Sequence, residues 1–123
     1  MYSIILVAHG QAASALKQAA SMIAGQEYAD MLFTIDFRDD QSREELSDQI
    51  EAQLKAENNL VLCDIKGGTP FNAAYLLGKT YPVRIMTGVN LAMILEILLT
   101  PDKDTENILQ TAADSARESV QFY

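Results

Sequence analysis

The chain has 123 residues, 49% of them apolar, the size of one domain (1–123) built around a single core. A formal charge of −8 leaves no basic stripe for nucleic acid, and no apolar run approaches the roughly 20 residues of a membrane-spanning helix. The first residues lack the basic head of a secretory signal, and the lone Cys63 allows no internal disulfide, which suits a reducing cytoplasm.

Strand and helix patterns alternate along the chain. Residues 3–8 form an apolar run of the kind a strand buried on both faces requires, and His9-Gly10 follow it directly. Leu16, Ala19, Ala20 and Ile23 recur at helical spacing over residues 12–24, and Gly25 is a natural stop. Residues 31–37 read as a second strand. Ser42 and Glu45 form a capping-box pair that opens a helix running toward residue 57. A third strand covers 60–64. After Lys66-Gly67-Gly68, Thr69 suits an N-cap and Pro70 a first helical position, so a helix is expected to about residue 79. A fourth strand at 82–87 and helices at 91–99 and 105–119 complete the pattern. The expected fold is α/β: a doubly wound, mainly parallel sheet of about four strands, with helices on both faces. The apolar residues 120–123 suit a short extra strand or a docking segment.

Ligands of open α/β sheets bind beyond the carboxyl ends of the strands. Three polar or glycine-bearing loops leave such ends here: His9-Gly10, residues 64–69 and Thr87-Gly88-Val89-Asn90. The only histidine could be a base, a metal ligand or a nucleophile, and alone it could equally just end a strand. Its company narrows the choice. If the first and third strands are neighbours, Asp64 can keep one imidazole nitrogen protonated and leave the other free to attack. Gly67 and Gly68 admit close backbone approach, and Thr69 brings a hydroxyl and free amides at a helix start. A nucleophilic histidine, an orienting aspartate and an anion cradle together suggest phosphoryl transfer onto histidine.

Competing signatures fail. Gly78-Lys79-Thr80 lacks the upstream glycine of a P-loop, which is Ala73 here, and falls at the end of a helix. Cys63 lacks the arginine of a cysteine-phosphatase loop, position 69 being threonine, and reads as a buried thiol. One histidine and one cysteine do not make a zinc site. Asp36, Asp39 and Asp40 could bind a cation, but a solvated loop is the simpler reading.

Ile5-Leu6-Val7-Ala8-His9-Gly10 resembles the phosphorylation-site segment of mannose-family enzyme IIA domains of the sugar phosphotransferase system. Asp64-Ile65-Lys66-Gly67-Gly68-Thr69-Pro70-Phe71-Asn72-Ala73-Ala74 is similar to their second signature, and Thr87-Gly88-Val89-Asn90-Leu91 to their third. The resemblance spans nearly the whole chain and implies that His9 takes a phosphoryl group from the histidine-containing phosphocarrier protein and gives it to an enzyme IIB component. Asp64 would orient the imidazole; Gly67, Gly68 and Thr69 would hold the phosphoryl oxygens, with no metal or organic cofactor. It further implies a homodimer with an antiparallel strand exchanged between subunits, for which residues 120–123 or those just before them are the candidate. An acidic surface suits transient docking onto a basic face of such a carrier. Lys66 departs from the apolar or aromatic residue common at its position, and is read as part of the partner surface. Two alternatives stand beside the relay: a regulatory domain that signals sugar status by its phosphorylation, and a non-enzymatic module that binds a small anion at the glycine turn.

Overall fold

In the computed structural model, which describes residues 2–101 and 106–123, four parallel strands form one sheet in the order β2-β1-β3-β4. The strands are β1 (Ser3–His9), β2 (Leu32–Phe37), β3 (Asn59–Cys63) and β4 (Val83–Met86). The helices are α1 (Ala12–Ala24), α2 (Gln26–Ala29), α3 (Arg43–Glu51), α4 (Thr69–Leu77), α5 (Leu91–Leu99) and α6 (Glu106–Glu118).

Side chains of a strand alternate between faces, so each strand divides its residues between two cores. Ile4, Leu6 and Ala8 of β1 pack with Leu60 and Leu62 beneath α1, α5 and α6. Ile5 and Val7 pack with Val61 and Cys63 on the opposite face, beneath Leu46 and Ile50 of α3 and Ala73 and Ala74 of α4. Both central strands are therefore sealed on two sides, and each fully buried Leu or Ile among them contributes roughly 1.5–3 kcal/mol. The parity of β1 also sends position 9 to the α3–α4 face.

The expected α/β sheet is present, with shifted boundaries. The Ser42–Glu45 capping box is formed, with the Glu45 N–H donating to Ser42 Oγ at 3.1 Å and the Ser42 N–H donating to Glu45 Oε1 at 3.2 Å. The helix it opens stops at Glu51 rather than near residue 57. Fully buried Asn59 explains the early end: its Oδ1 accepts the Lys55 N–H at 2.8 Å, and its Nδ2 donates to the Lys55 carbonyl at 2.9 Å and the Pro82 carbonyl at 3.0 Å. This side chain takes the backbone groups a longer helix would need and ties the start of β3 to the start of β4. Gly68, not Thr69, is the N-cap of α4, since the Asn72 N–H already donates to the Gly68 carbonyl at 2.9 Å. Thr69 and Pro70 are thus the first two helical residues. The one-turn helix α2 is absent from the sequence reading. The expected start of the last helix, Thr105, lies outside the described residues, and residues 120–123 form no strand within the chain.

Replacing Asn59 by Ala removes the partner of the Lys55 N–H and carbonyl and one of the two donors to the Pro82 carbonyl, and is expected to cost about 1–3 kcal/mol. Urea denaturation of the variant measures the loss, and an unchanged midpoint would deny Asn59 this role.

Candidate functional site

The strand order reverses beside β1: the chain leaves β1 for β2 on one side and returns past it to β3 on the other. At such a switch point the loops after the two strands part and leave a crevice at their carboxyl ends. His9 is the last residue of β1, and Asp64 is the first residue beyond β3. The two are 55 positions apart in sequence and in direct contact.

One carboxylate collects three donors. Asp64 Oδ2 accepts the backbone N–H of His9 at 3.0 Å and faces the ring Nδ1 at 2.7 Å, while Oδ1 accepts the Ile65 N–H at 3.0 Å. Partial burial alone would raise the Asp64 pKa. The hydrogen bonds from the His9 backbone and ring, the attraction to the ring, and the Ile65 bond outweigh it and hold the carboxyl below its ordinary 3.8. An ionised carboxylate only accepts, so in the neutral imidazole Nδ1 carries the proton and Nε2 keeps its lone pair. The imidazole is about half exposed, so that lone pair is accessible.

The glycine turn lies against the ring. A Cβ at Gly68 would stand 3.1 Å from His9 Cε1, 3.1 Å from Ile65 Cγ2 and 3.7 Å from Nε2, tighter than ordinary contact, so the missing side chain eases the close approach of the start of α4. Gly67 reverses the chain with a φ of +83°, a conformation glycine adopts without strain. Its carbonyl is held by Asn72 Nδ2 at 3.2 Å. Beyond Gly68, the first-turn amides of α4 have no intrahelical partner and Pro70 has no N–H, so the Thr69 and Phe71 amides are left over at the start of α4. Among the described residues the Thr69 hydroxyl and the Lys66 ammonium engage in no hydrogen bond or ion pair. Cys63, just before this loop, is not a nucleophile: burial first, and the Asp64 charge second, push its thiol from 9.0 up to about 12.

The structure thus brings His9, Asp64 and Gly68 together, with Gly67 and Thr69 on either side of Gly68. The third loop is not part of this cluster. Val89 donates to the Cys63 carbonyl at 3.1 Å. Asn90 caps α5 by accepting the Met93 N–H at 2.9 Å, and its Nδ2 reaches Ala116 O and Ser119 Oγ at the end of α6, both at 3.2 Å. Two nearby residues take roles that the sequence did not suggest. Asp36 is no part of a solvated loop: it accepts the Ser14 N–H at 3.0 Å and the Ser14 hydroxyl at 2.7 Å, fastening the first turn of α1. Phe37, opposite His9 in the β1–β2 register, meets the imidazole edge to face at 5.7 Å between ring centroids. No group of three metal-ligating side chains occurs among the described residues.

A family model described as the PTS system fructose IIA component matches residues 3–114. The chain belongs to this family. It is similar to the mannose-specific EIIAB component of the phosphotransferase system from Escherichia coli, at 32% identity over 97% of the chain, but it spans only 38% of that relative's length. It is 35% identical to the sorbose-specific EIIA component of Lacticaseibacillus casei, over 76% of this chain and 70% of that one. The fold superposes on the mannose/sorbose-specific IIA subunit of Enterococcus faecalis with a TM-score of 0.92 at 26% identity, covering 99% of this chain and 94% of the other. An EIIA component from Streptococcus agalactiae gives 0.90 at 26% identity, with 99% and 97% covered. The doubly wound sheet is therefore that of a phosphotransferase-system IIA component.

Two outcomes test this geometry. Gly68→Ala places a methyl 3.1 Å from His9 Cε1 and from Ile65 Cγ2, so these exposed side chains must shift by a few tenths of an ångström and the His9 ring resonances are expected to move; unchanged resonances would refute the close approach. Because the folded Asp64 pKa lies below its unfolded value, its contribution to stability is present above pH 3.8 and lost as pH falls through the folded value. Denaturation of Asp64→Asn against wild type across that acid range should show a smaller loss on acidification in the variant, and parallel curves would contradict it.

Proposed function

We propose that this IIA component is a phosphoryl relay in which His9 Nε2 is the nucleophile. It takes a phosphoryl group from the histidine-containing phosphocarrier protein and passes it to an enzyme IIB component. The observation that carries the reading is the 2.7 Å contact between His9 Nδ1 and Asp64, which leaves the accessible Nε2 unprotonated.

The transfer is a displacement at phosphorus. The Nε2 lone pair forms a new N–P bond as the N–P bond of the donor's phosphohistidine breaks, and the electron pair of that bond stays on the donor nitrogen. No proton need leave His9, because the Nδ1 proton stays between the ring and Asp64, whose carboxylate offsets the positive charge the ring gains. The phosphoryl oxygens then face the start of α4, where the Thr69 and Phe71 amides, the Thr69 hydroxyl and the positive end of the helix favour an anion. Gly67 and Gly68 contribute by keeping side chains out of that space. Lys66, exposed on the same loop, belongs to the surface that a partner meets. The reverse displacement delivers the group to the IIB component. The names of the relatives carry mannose, sorbose and fructose, so the relay is assigned no sugar.

We also propose that the working form is a homodimer in the cytoplasm. Among the described residues the outer edge of β4 is unpaired, and a groove beside it is lined by Ile85, Met86 and Val120. Next to it the tail carries Val120, Phe122 and Tyr123 almost wholly exposed. Pairing an apolar tail with a partner's open edge would bury both. No helix among the described residues is long and apolar enough to cross a membrane. Sedimentation velocity of the chain and of a form lacking residues 120–123 tests this: a dimer that becomes a monomer supports the exchange, and identical sedimentation removes it.

The relay is tested by intact mass after incubation with phosphoenolpyruvate, enzyme I and the phosphocarrier. One acid-labile phosphoryl group is expected on the wild type and none on folded His9→Ala. Asp64→Asn is expected to slow uptake by roughly 100-fold or more, since it removes the group that fixes the tautomer. Uptake by His9→Ala would defeat the assignment of the nucleophile, and unaltered kinetics in Asp64→Asn would remove Asp64 from the mechanism.

A further inference from the structure

The hydrogen bond to Asp64 fixes one atom of the His9 ring. A half-exposed imidazole held only there can still pivot about that bond and swing Nε2 away from the start of α4. What stops the pivot must touch ring carbon atoms. Gly68 closes the Cε1 side. A second contact comes from Phe37.

Phe37 ends β2 directly opposite His9 in the parallel register, and its carbonyl accepts the Gly10 N–H at 2.8 Å. The residue after His9 is therefore tied to Phe37 by backbone. The Phe37 ring meets the imidazole at 5.7 Å between centroids and 75° between planes. It is also packed against the core cluster of Val7, Ile35 and Leu46, so it cannot retreat when the imidazole presses on it. One residue thus borders both the backbone and the ring of His9, from the side of β1 opposite Asp64.

We propose that Phe37 is a positioning residue: its ring braces the His9 imidazole against Asp64 and Gly68, so that Nε2 stays aimed at the anion-binding start of α4. Its kinetic consequence rests on the relay reading, but the brace itself is a property of the unphosphorylated chain. Phosphoryl transfer needs in-line attack, and a displacement of about 1 Å in a reacting atom lowers the rate on the order of 100-fold. A rigid ring set edge to face against the imidazole resists such a tilt where a flexible side chain would not. The aromatic character of position 37, rather than apolar bulk alone, is what the brace requires.

The test compares Phe37→Ala, Phe37→Leu and Phe37→Tyr with wild type, each first shown to be folded by its thermal transition. In the unphosphorylated chain, the His9 ring-nitrogen resonances report the tautomer fixed by Asp64 and are nearly insensitive to the ring current of Phe37. They are expected to move toward free-histidine positions in Phe37→Ala and Phe37→Leu, and to stay near wild type in Phe37→Tyr. For uptake from the phosphorylated phosphocarrier, kcat should fall about 10- to 100-fold in the Ala variant, with KM within about twofold, and recover in the Tyr variant. A merely structural role would lower stability without moving kcat in the folded fraction. His9 resonances and kcat unchanged in folded Phe37→Ala, or in Phe37→Leu should the Ala variant not fold, would overturn the proposal. A loss confined to KM would also overturn it, placing Phe37 on the docking surface. If wild type itself takes up no phosphoryl group, the relay reading fails, and the ring resonances alone uphold or reject the brace by the same comparison.

Discussion

A single carboxylate bridges the two central strands at their open end. Asp64 holds the backbone and the ring of His9 through one oxygen and the start of its own loop through the other. Those three bonds decide which imidazole nitrogen is free, how the loop after β3 leaves the sheet, and where the glycine turn comes to rest. They also explain why the carboxyl stays ionised despite its partial burial. A charge with three donors loses little by leaving water, whereas the same group with its partners removed would take up a proton or turn outward.

The rest of the fold exists, in effect, to bring residues 9 and 64 together. Their adjacency requires β1 and β3 to be neighbours, which requires the chain to cross back over β1 after β2. Two fully covered central strands make that arrangement stable, because Ile5, Leu6, Val7, Val61 and Leu62 lose all contact with water only when helices lie on both faces. Parity then does the aiming. A one-residue slip of β1 would exchange its two faces and turn His9 toward α1, away from the glycine turn.

How much of this could be read from the sequence follows from what kind of force sets each feature. The strand cores, α1, α5 and the Ser42–Glu45 cap were legible because local periodicity and local hydrogen bonding determine them. The pairing of His9 with Asp64 was legible through a topological rule, given two strands ending in polar residues. The end of α3 was not, because the side chain that cuts it short, Asn59, belongs to the next strand. The N-cap of α4 was displaced by one residue for a different reason: the extended Gly68 starts the helix as well as Thr69 could, and it also clears the imidazole. Asp36 drew notice only as one of three carboxylates in a solvated loop, and Phe37 gave no local signal of its role. Their roles arise from register, Asp36 lying opposite Ala8 and Phe37 opposite His9, and register across parallel strands becomes visible only in three dimensions.

The surroundings of His9 are lean, and for a relay that leanness is an advantage. A site built to hold phosphate would converge several cations on it. Here Arg38, on the loop that follows β2, pairs with Asp40, and the cation on the glycine-turn loop is the exposed Lys66. What remains around His9 is the start of α4 at Gly68, with Thr69 next in the chain, and the carboxylate of Asp64 on the ring. In the proposed relay such a site would stabilise a phosphoryl group on His9 only modestly, and the same interactions would serve entry and exit. A deeper well would speed capture from a donor only by slowing delivery to an acceptor, because the group must climb out of whatever free energy it gained. Orientation escapes that trade, since aiming Nε2 in line lowers the barrier in both directions without deepening the well between them. A relay therefore gains more from rigid neighbours such as Gly68 and Phe37 than from additional charge.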